Sequence, residues 1–263
     1  MKRLKIIGMT LVILILPLAL FAASLELAVG AWYVKPDGDL SYSPNGVVTD
    51  LDLEDRFGFD SEWEAMFRAK IEPGELFGVY LKATPLGFDS TEDNSFEFAF
   101  GDTVFFADDQ IDSEFFLNIY DAALYFSTPF IETGPTGGID LDVGVGARVI
   151  DIETEVERIP VDDDIVEGDV LEENPDEVIT YPMIFAALEM QPSDMFSIEV
   201  EGWGMAVSND QLYSVTGLLK FIPGGGAFMI NAGYRAEFLN IEKDGLALDA
   251  NFTGPFAEVG LRF

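Results

Sequence analysis

The sequence predicts an all-β chain, an antiparallel up-and-down transmembrane β-barrel of about ten strands. Three observations carry that expectation. Segments of about ten residues that alternate apolar and polar side chains recur along the chain, and the connections between them alternate short and long. Beyond the first residues, no run of about 18 apolar residues is available to cross a bilayer as a helix.

Residues 1–23 read as a secretory signal peptide. Lys2, Arg3 and Lys5 open the chain, an apolar run from Ile6 to Phe21 is broken by Pro17, and Ala22, Ala23 and Ser24 are small. Cleavage after Ala22 or Ala23 leaves one domain, 24–263. A single membrane anchor competes with this reading because the run is slightly long, but small residues follow at once and no basic stop-transfer cluster comes after them. Export makes the absence of cysteine informative: the domain has no disulfide, no lipid-modified cysteine and no thiolate metal site. The 14 Lys and Arg fall to 11 once Lys2, Arg3 and Lys5 leave with the leader, against 48 Asp and Glu, and the formal charge moves from −34 to −37. Such a surface repels nucleic acid. It suits a membrane protein whose charge sits in water-facing loops.

The first alternating segment, 24–34, sets Leu25, Leu27, Val29, Ala31 and Tyr33 on one face. The second, 62–71, opposes Trp63, Ala65, Phe67, Ala69 and Ile71 to Glu62, Glu64, Met66, Arg68 and Lys70; the third, 76–84, opposes Phe77, Val79, Leu81 and Ala83 to Gly78, Tyr80 and Lys82. Segment 139–149 is the cleanest, with Leu141, Val143, Val145 and Ala147 facing away from Asp142, Gly144, Gly146 and Arg148. Segments 195–204 and 227–238 repeat the theme, and 116–126, 181–190 and 212–221 are less regular candidates. The terminal PFAEVGLRF places Pro255, Ala257, Val259 and Leu261 opposite Phe256, Glu258, Gly260 and Arg262, and completes a count of ten. An eight-stranded barrel with one extra hairpin outside the membrane competes, and 95–108 alternates well enough to extend the sheet above the membrane.

Connections 72–75, 127–138, 191–194 and 222–226 are mostly short and rich in Pro or Gly; 35–61, 85–115, 159–180 and 241–254 are longer and mostly acidic, with 208–211 the tight exception. Short turns on one side and long loops on the other organise a barrel with a periplasmic N-terminus and acidic loops outside. A soluble β-sandwich is the alternative, and the two differ in which face is wet. The polar face mixes Gly144, Gly146 and Gly233 with charges of both signs, which suits an enclosed lumen. Arg68, Lys82, Arg148, Glu199, Glu201, Arg235 and Glu237 are therefore candidate lumen residues, for structural pairing or for selecting permeants. Aromatic residues such as Tyr33, Trp63, Phe77, Phe126, Phe196 and Phe221 fall toward strand ends, where interfacial girdles belong.

The leader, TDLDLEDRFGFD (49–60), YPMIFAALEM (181–190) and the terminal VGLRF together resemble a family of small bacterial outer-membrane β-barrel proteins. The resemblance implies the cell outer membrane as location, the barrel as fold, and no agreed activity or catalytic residues. The closing Phe263 looks like the carboxyl-terminal signature of such proteins, which implies reading by the barrel assembly machinery. The partners expected on this basis are outer-membrane lipid, lipopolysaccharide and that machinery.

With no histidine in the chain, Ser-His-Asp, Asp-His and Cys-His devices and His-bearing zinc sites are excluded. Outer-membrane barrel enzymes such as omptin-like proteases, phospholipases and lipid A deacylases are built around a histidine, so a non-enzymatic protein without a cofactor is expected. The acidic run 161–177, with Asp162, Asp163 and Asp164, matches no calcium-loop spacing and reads as solvated surface; loose divalent-cation bridging to lipopolysaccharide phosphates is its functional reading. Glu199 and Glu201 share one strand face and invite an acid–base reading, against which stands pairing with Arg235, Arg148 or Lys220. FIPGGGAF has no lysine and no following helix, so it is a turn and no phosphate loop. The functional expectation is a structural or surface-interaction protein that also binds or passes a small solute, against a narrow substrate-selective channel or a secreted sandwich that binds a partner.

Overall fold

The computed structural model describes residues 24–43, 50–74, 76–93, 97–101, 103–107, 110–132, 138–159, 172–173, 176–207 and 209–263. The leader and Asp162, Asp163 and Asp164 lie outside them. The strands are β1 (Ser24–Tyr42), β2 (Leu51–Asp52), β3 (Glu62–Glu72), β4 (Phe77–Asp93), β5 (Phe98–Phe100), β6 (Thr103–Phe105), β7 (Gln110–Glu132), β8 (Gly138–Ile159), β9 (Glu172–Glu173), β10 (Asp176–Ser193), β11 (Phe196–Val207), β12 (Asp210–Phe221), β13 (Phe228–Lys243) and β14 (Leu246–Arg262).

Ten of these close into a ring. From β1 through β3, β4, β7, β8, β10, β11, β12 and β13 to β14, each strand pairs antiparallel with the next. β14 then pairs back onto β1 from Glu26↔Arg262 to Tyr42↔Leu246. Closure leaves no strand of the ring at an edge, the condition for a β-structure to stand in hydrocarbon. The ten-stranded reading therefore holds, and neither the eight-stranded barrel nor the sandwich does.

The lower halves of the strands carry apolar side chains outward. Val145, Ile184, Val200, Leu219 and Val259 are all exposed on the barrel wall. Exposure of so many large apolar groups to water has no counterpart in a soluble protein, so the wall faces lipid. Phe77 against Phe126 (5.4 Å) and Phe196 against Phe221 (5.0 Å) form the lower aromatic edge, and Tyr33 against Trp63 (5.1 Å) marks the upper one. From Phe228 to Phe238 β13 climbs ten residues, which at about 3.3 Å per residue and a tilt of roughly 40° spans about 25 Å, the height of a membrane band.

Above that band the alternation inverts. On β14, Leu246, Leu248, Ala250 and Phe252 are buried inside while Asp249 faces out; on β8, Ile150, Ile152 and Val156 are buried while Asp151, Glu153 and Glu155 face out. The outer face is now in water, so the apolar set moves to the interior. This overturns several predicted loops. Residues 35–42, 85–93, 110–115, 176–180 and 246–254 are strand, β8 runs on past 149 to Ile159, and the expected long loop 241–254 shrinks to a turn at Asp244 (φ 49°) and Gly245 (φ 91°). Asp-Gly with both φ values positive is the two-residue hairpin connection whose twist matches its strands.

Two outer segments fill the mouth. Leu51, Leu53, Phe57 and Phe59 turn inward after β1, and Phe59 packs against Phe88 and Phe115. β5 and β6 form their own two-stranded sheet, so 95–108 does not extend the barrel sheet; its buried Phe98, Phe100 and Phe105 join the same core. The wall is uneven at one place. β3 and β4 pair only from Phe67↔Ala83 to Ile71↔Val79, and above this the Glu64 carboxylate accepts the Gly87 N–H at 3.1 Å.

Trp63 is 66% exposed, whereas Trp32 and Trp203 are 0% and 3% exposed. Brominated lipid should therefore quench a single component of the tryptophan emission, and Trp63→Phe should remove it; quenching that survives the substitution would contradict the placement of the belt. At the β1–β14 closure, a Cβ on Gly254 would lie 1.8 Å from the Tyr33 carbonyl oxygen. Gly254→Ala should destabilise the barrel by about 1–3 kcal/mol through overpacking, read as a lowered urea midpoint of the heat-modifiable form.

Candidate functional site

Inward-pointing positions of the lower strands bring a set of charges from distant parts of the chain into one column. At its base Lys220 of β12 lies 2.5 Å from Glu199, 3.3 Å from Glu189 and 3.4 Å from Glu26. Lys70 of β3 sits 2.7 Å from Asp142 and 3.6 Å from Glu72, with its ammonium 5.2 Å from the Tyr125 ring centre; Tyr125 donates its hydroxyl to Glu72.

The next layer starts from a like-charged cross-strand pair, Arg68 opposite Lys82. Such a pair is unfavourable unless each member is neutralised separately. Arg68 reaches Glu258 at 2.8 Å, Glu26 at 3.4 Å and Glu199 at 3.8 Å. Lys82 donates to Glu201 at 2.9 Å, beside the Trp203 ring, and Glu201 also accepts the Tyr80 hydroxyl and the Trp203 indole N–H. Asn231 donates to Glu258.

The third layer is a row of directly opposed residues, Lys82↔Asp121↔Arg148, across β4, β7 and β8. Arg148 grips Asp121 with two N–H groups (2.6 and 3.0 Å) and Glu237 with a third at 2.8 Å. Arg235 holds the other oxygen of Glu237, donates to Thr84 at 2.7 Å and lies 4.8 Å from the Trp32 ring centre. Ser214 donates to Glu237 as well. Arginine's planar fork suits this two-sided bridging.

Arg148, Arg235, Glu237 and Trp32 are each 0% exposed, and the layers above them are apolar: Leu117, Ile119, Ile150, Ile152 and Phe252 are buried completely. The barrel is thus dry at its middle. Below the ion pairs it opens, at the end of the short turns, into a vestibule of about 430 Å³ lined by Ser24, Glu26, Lys70, Glu72, Gly74, Leu76, Ser127, Asp140, Glu189, Gln191 and Arg262.

The structure brings Arg148, Arg235 and Glu237 into one cluster, Lys82 and Glu201 into a second, and Arg68 and Glu199 into a third, loosely held one. Glu199 and Glu201 do not face each other as a pair: each turns to its own cation. Glu199 meets Lys220, and neither carboxylate is paired with Arg148 or Arg235. Phe263 closes the ring, donating its N–H to the Leu25 carbonyl and accepting the Leu25 N–H. Glu26, Tyr80 and Asp121 belong to the network without having been singled out. Their signal was the parity of their strands, since each stands between outward apolar neighbours. Among the described residues no three carboxylates converge so as to hold a metal ion.

These features define a closed, ten-stranded membrane barrel with an ion-paired interior. No protein-family model and no curated protein matches the chain. Among solved structures it is similar to the outer membrane protease OmpT from Escherichia coli, at 10% identity over 92% of this chain and 97% of that chain with a TM-score of 0.48. It is also similar to the translocator domain of autotransporter NalP from Neisseria meningitidis (10% identity, 99% and 96% covered, TM-score 0.37) and to Ail, the attachment invasion locus protein of Yersinia pestis (10%, 91% and 98%, TM-score 0.34). At these TM-scores the likenesses assign no family, and the architecture rests on the barrel's own hydrogen-bond register.

Removing one member of a buried ion-paired group strands the others. Glu237→Leu, which leaves Arg148 and Arg235 short of a carboxylate, should cost about 3–5 kcal/mol in detergent-solubilised unfolding, and Arg148→Met with Arg235→Met added to it should recover part of that loss.

Proposed function

We propose that this chain is an integral outer-membrane protein of a Gram-negative cell that conducts nothing and works from its surface. One observation carries the reading: the dry middle of the barrel, where Arg148, Arg235 and Glu237 lock together beneath a completely buried apolar core. A general diffusion pore needs a water-filled lumen. The narrow-channel reading, with Arg68, Lys82, Arg148 and Arg235 selecting permeants, finds those cations engaged by carboxylates instead.

What the barrel carries into the medium is acidic. Asp37, Asp89, Asp112, Glu155 and Asp249 face outward above the band, and two cations there, Lys35 and Lys243, are each held by a neighbouring carboxylate. A basic surface ligand fits this face by charge. Lipopolysaccharide is its nearest anionic neighbour, and divalent cations bridging its phosphates to the run containing Asp162, Asp163 and Asp164 would relieve their repulsion. Phe263, at the end of the closing strand, serves as the assembly signal. The reading is non-catalytic: the chain has no histidine, and its interior carboxylates are held by cations away from water.

Purified protein in a planar bilayer with molar KCl should give no stepwise conductance. Regular open-channel steps from protein verified as heat-modifiable would overturn the proposal in favour of a channel.

A further inference from the structure

The outer face has one place where the sheet itself is unfinished. β4 and β3 part above Phe67↔Ala83. The reason stands in the sequence: continuing that register sets Pro85 opposite Ala65, and a proline nitrogen has no proton to give the neighbouring strand. Beyond it the Gly87 N–H finds a side chain, the Glu64 carboxylate, in place of a backbone carbonyl. β4 nevertheless runs on to Asp93, paired on its other side with β7 through Asp89↔Glu114, Thr91↔Asp112 and Asp93↔Gln110.

Backbone direction alternates along a strand, so Asp89 and Thr91 aim their N–H and C=O groups the same way as Gly87, toward the line that β3 has left. The chain does not return to that line. β3 begins at Glu62, and the residues before it turn inward, where Phe59 packs on Phe88 and Phe115 and the Ser90 hydroxyl donates to the Phe57 carbonyl. Among the described residues no backbone group pairs with β4 on this side above Ala83. Asp89, Thr91 and Asp93 are exposed. A strand edge left open in water is a template for another strand.

We infer that this open edge takes an extended, basic segment of a partner protein as an added strand, in the line β3 vacates. The inference rests on the surface role proposed above and gives that role a site. Charge selects the occupant. Residues of an added strand directly opposite Asp89 and Asp93 would meet their carboxylates as cross-strand neighbours, and β7 adds Glu114 and Asp112 in the adjoining rows. Lysine or arginine at alternate positions answers these rows. A second copy of this chain is disfavoured on the same ground, because pairing β4 edge to edge would set the carboxylates of one strongly acidic chain against those of another. Main-chain hydrogen bonds then supply the affinity, and the side chains opposite Asp89 and Asp93 supply the selectivity.

The test is fluorescence anisotropy of a labelled, capped peptide of alternating lysine and threonine, titrated at physiological salt with the full-length mature protein in neutral detergent. Saturable binding is expected, weakened at least tenfold by Thr91→Pro. That substitution removes an N–H from the open edge and no backbone bond to β7, and Pro85 already occupies the same side of the strand. The same peptide N-methylated at every residue keeps its charge and loses its donors, and should also bind at least tenfold more weakly. Equal binding of the methylated peptide would overturn the inference, because charge alone would then suffice. So would binding that Thr91→Pro leaves unchanged, which would put the peptide elsewhere on the acidic face. No saturable binding into the millimolar range overturns it too, and leaves the non-conducting reading to its own bilayer measurement. Should the protein alone be a dimer that Thr91→Pro dissociates, the edge belongs to a second copy and the inference fails. If Thr91→Pro does not reach the heat-modifiable form, the methylated peptide decides alone.

Discussion

Closure of the sheet governs everything else in this molecule. Once β14 zips onto β1, every barrel strand has a neighbour on both sides, and what remains undetermined is the contents of a narrow tube. A ten-stranded ring leaves room for side chains and little besides. Whatever points inward is desolvated by geometry, so charges placed there must find partners or be excluded. The three ion-paired layers are the outcome of that constraint, and their composition follows from it: Lys70, Arg68, Lys82, Arg148 and Lys220 are each shared among two or more carboxylates, Arg235 divides itself between Glu237 and Thr84, and the aromatic rings of Trp32, Trp203 and Tyr125 occupy faces that carboxylates leave open.

Such networks are costly to assemble and cannot be simplified one member at a time. Their worth lies in specificity. Ten similar alternating strands could slip by two residues without moving an apolar side chain off the lipid face, but a slip would separate Asp121 from Arg148 and Arg235 from Thr84. The charges thus fix the register that lipid contact leaves open.

Much of the lower barrel was legible in the sequence because one face of each strand meets hydrocarbon, and the period of two is then almost unbroken, as in 139–149. The upper barrel was not. There the outer face meets water, polarity inverts, and stretches such as 246–254 look like acidic loops when only the outward residues are noticed. The inward partners were present all along: Leu246, Leu248, Ala250 and Phe252 repeat at every second position, as do Leu51 and Leu53. The candidate lumen residues could be named from strand parity, but their partners could not. Which carboxylate meets which cation depends on register and on reach across the tube, and neither is encoded locally. Arg68 with Glu258 and Lys82 with Glu201 are pairings between strands well separated in sequence.

The short pairing of β3 with β4 makes the wall mechanically anisotropic. Around most of the circumference neighbouring strands are laced along their length; here the lacing stops at Phe67 and Ala83, and the upper part is closed by the side-chain bonds of Glu64 with the Gly87 N–H and of Ser90 with the Phe57 carbonyl, and by the aromatic contact of Phe59 with Phe88. A sheet under tension parts where the fewest bonds share the load. Lateral stress from lipid packing, or from extraction of a single strand by force, would concentrate on this line and leave the tightly zipped β1–β14 junction, where the first and last barrel strands meet, undisturbed.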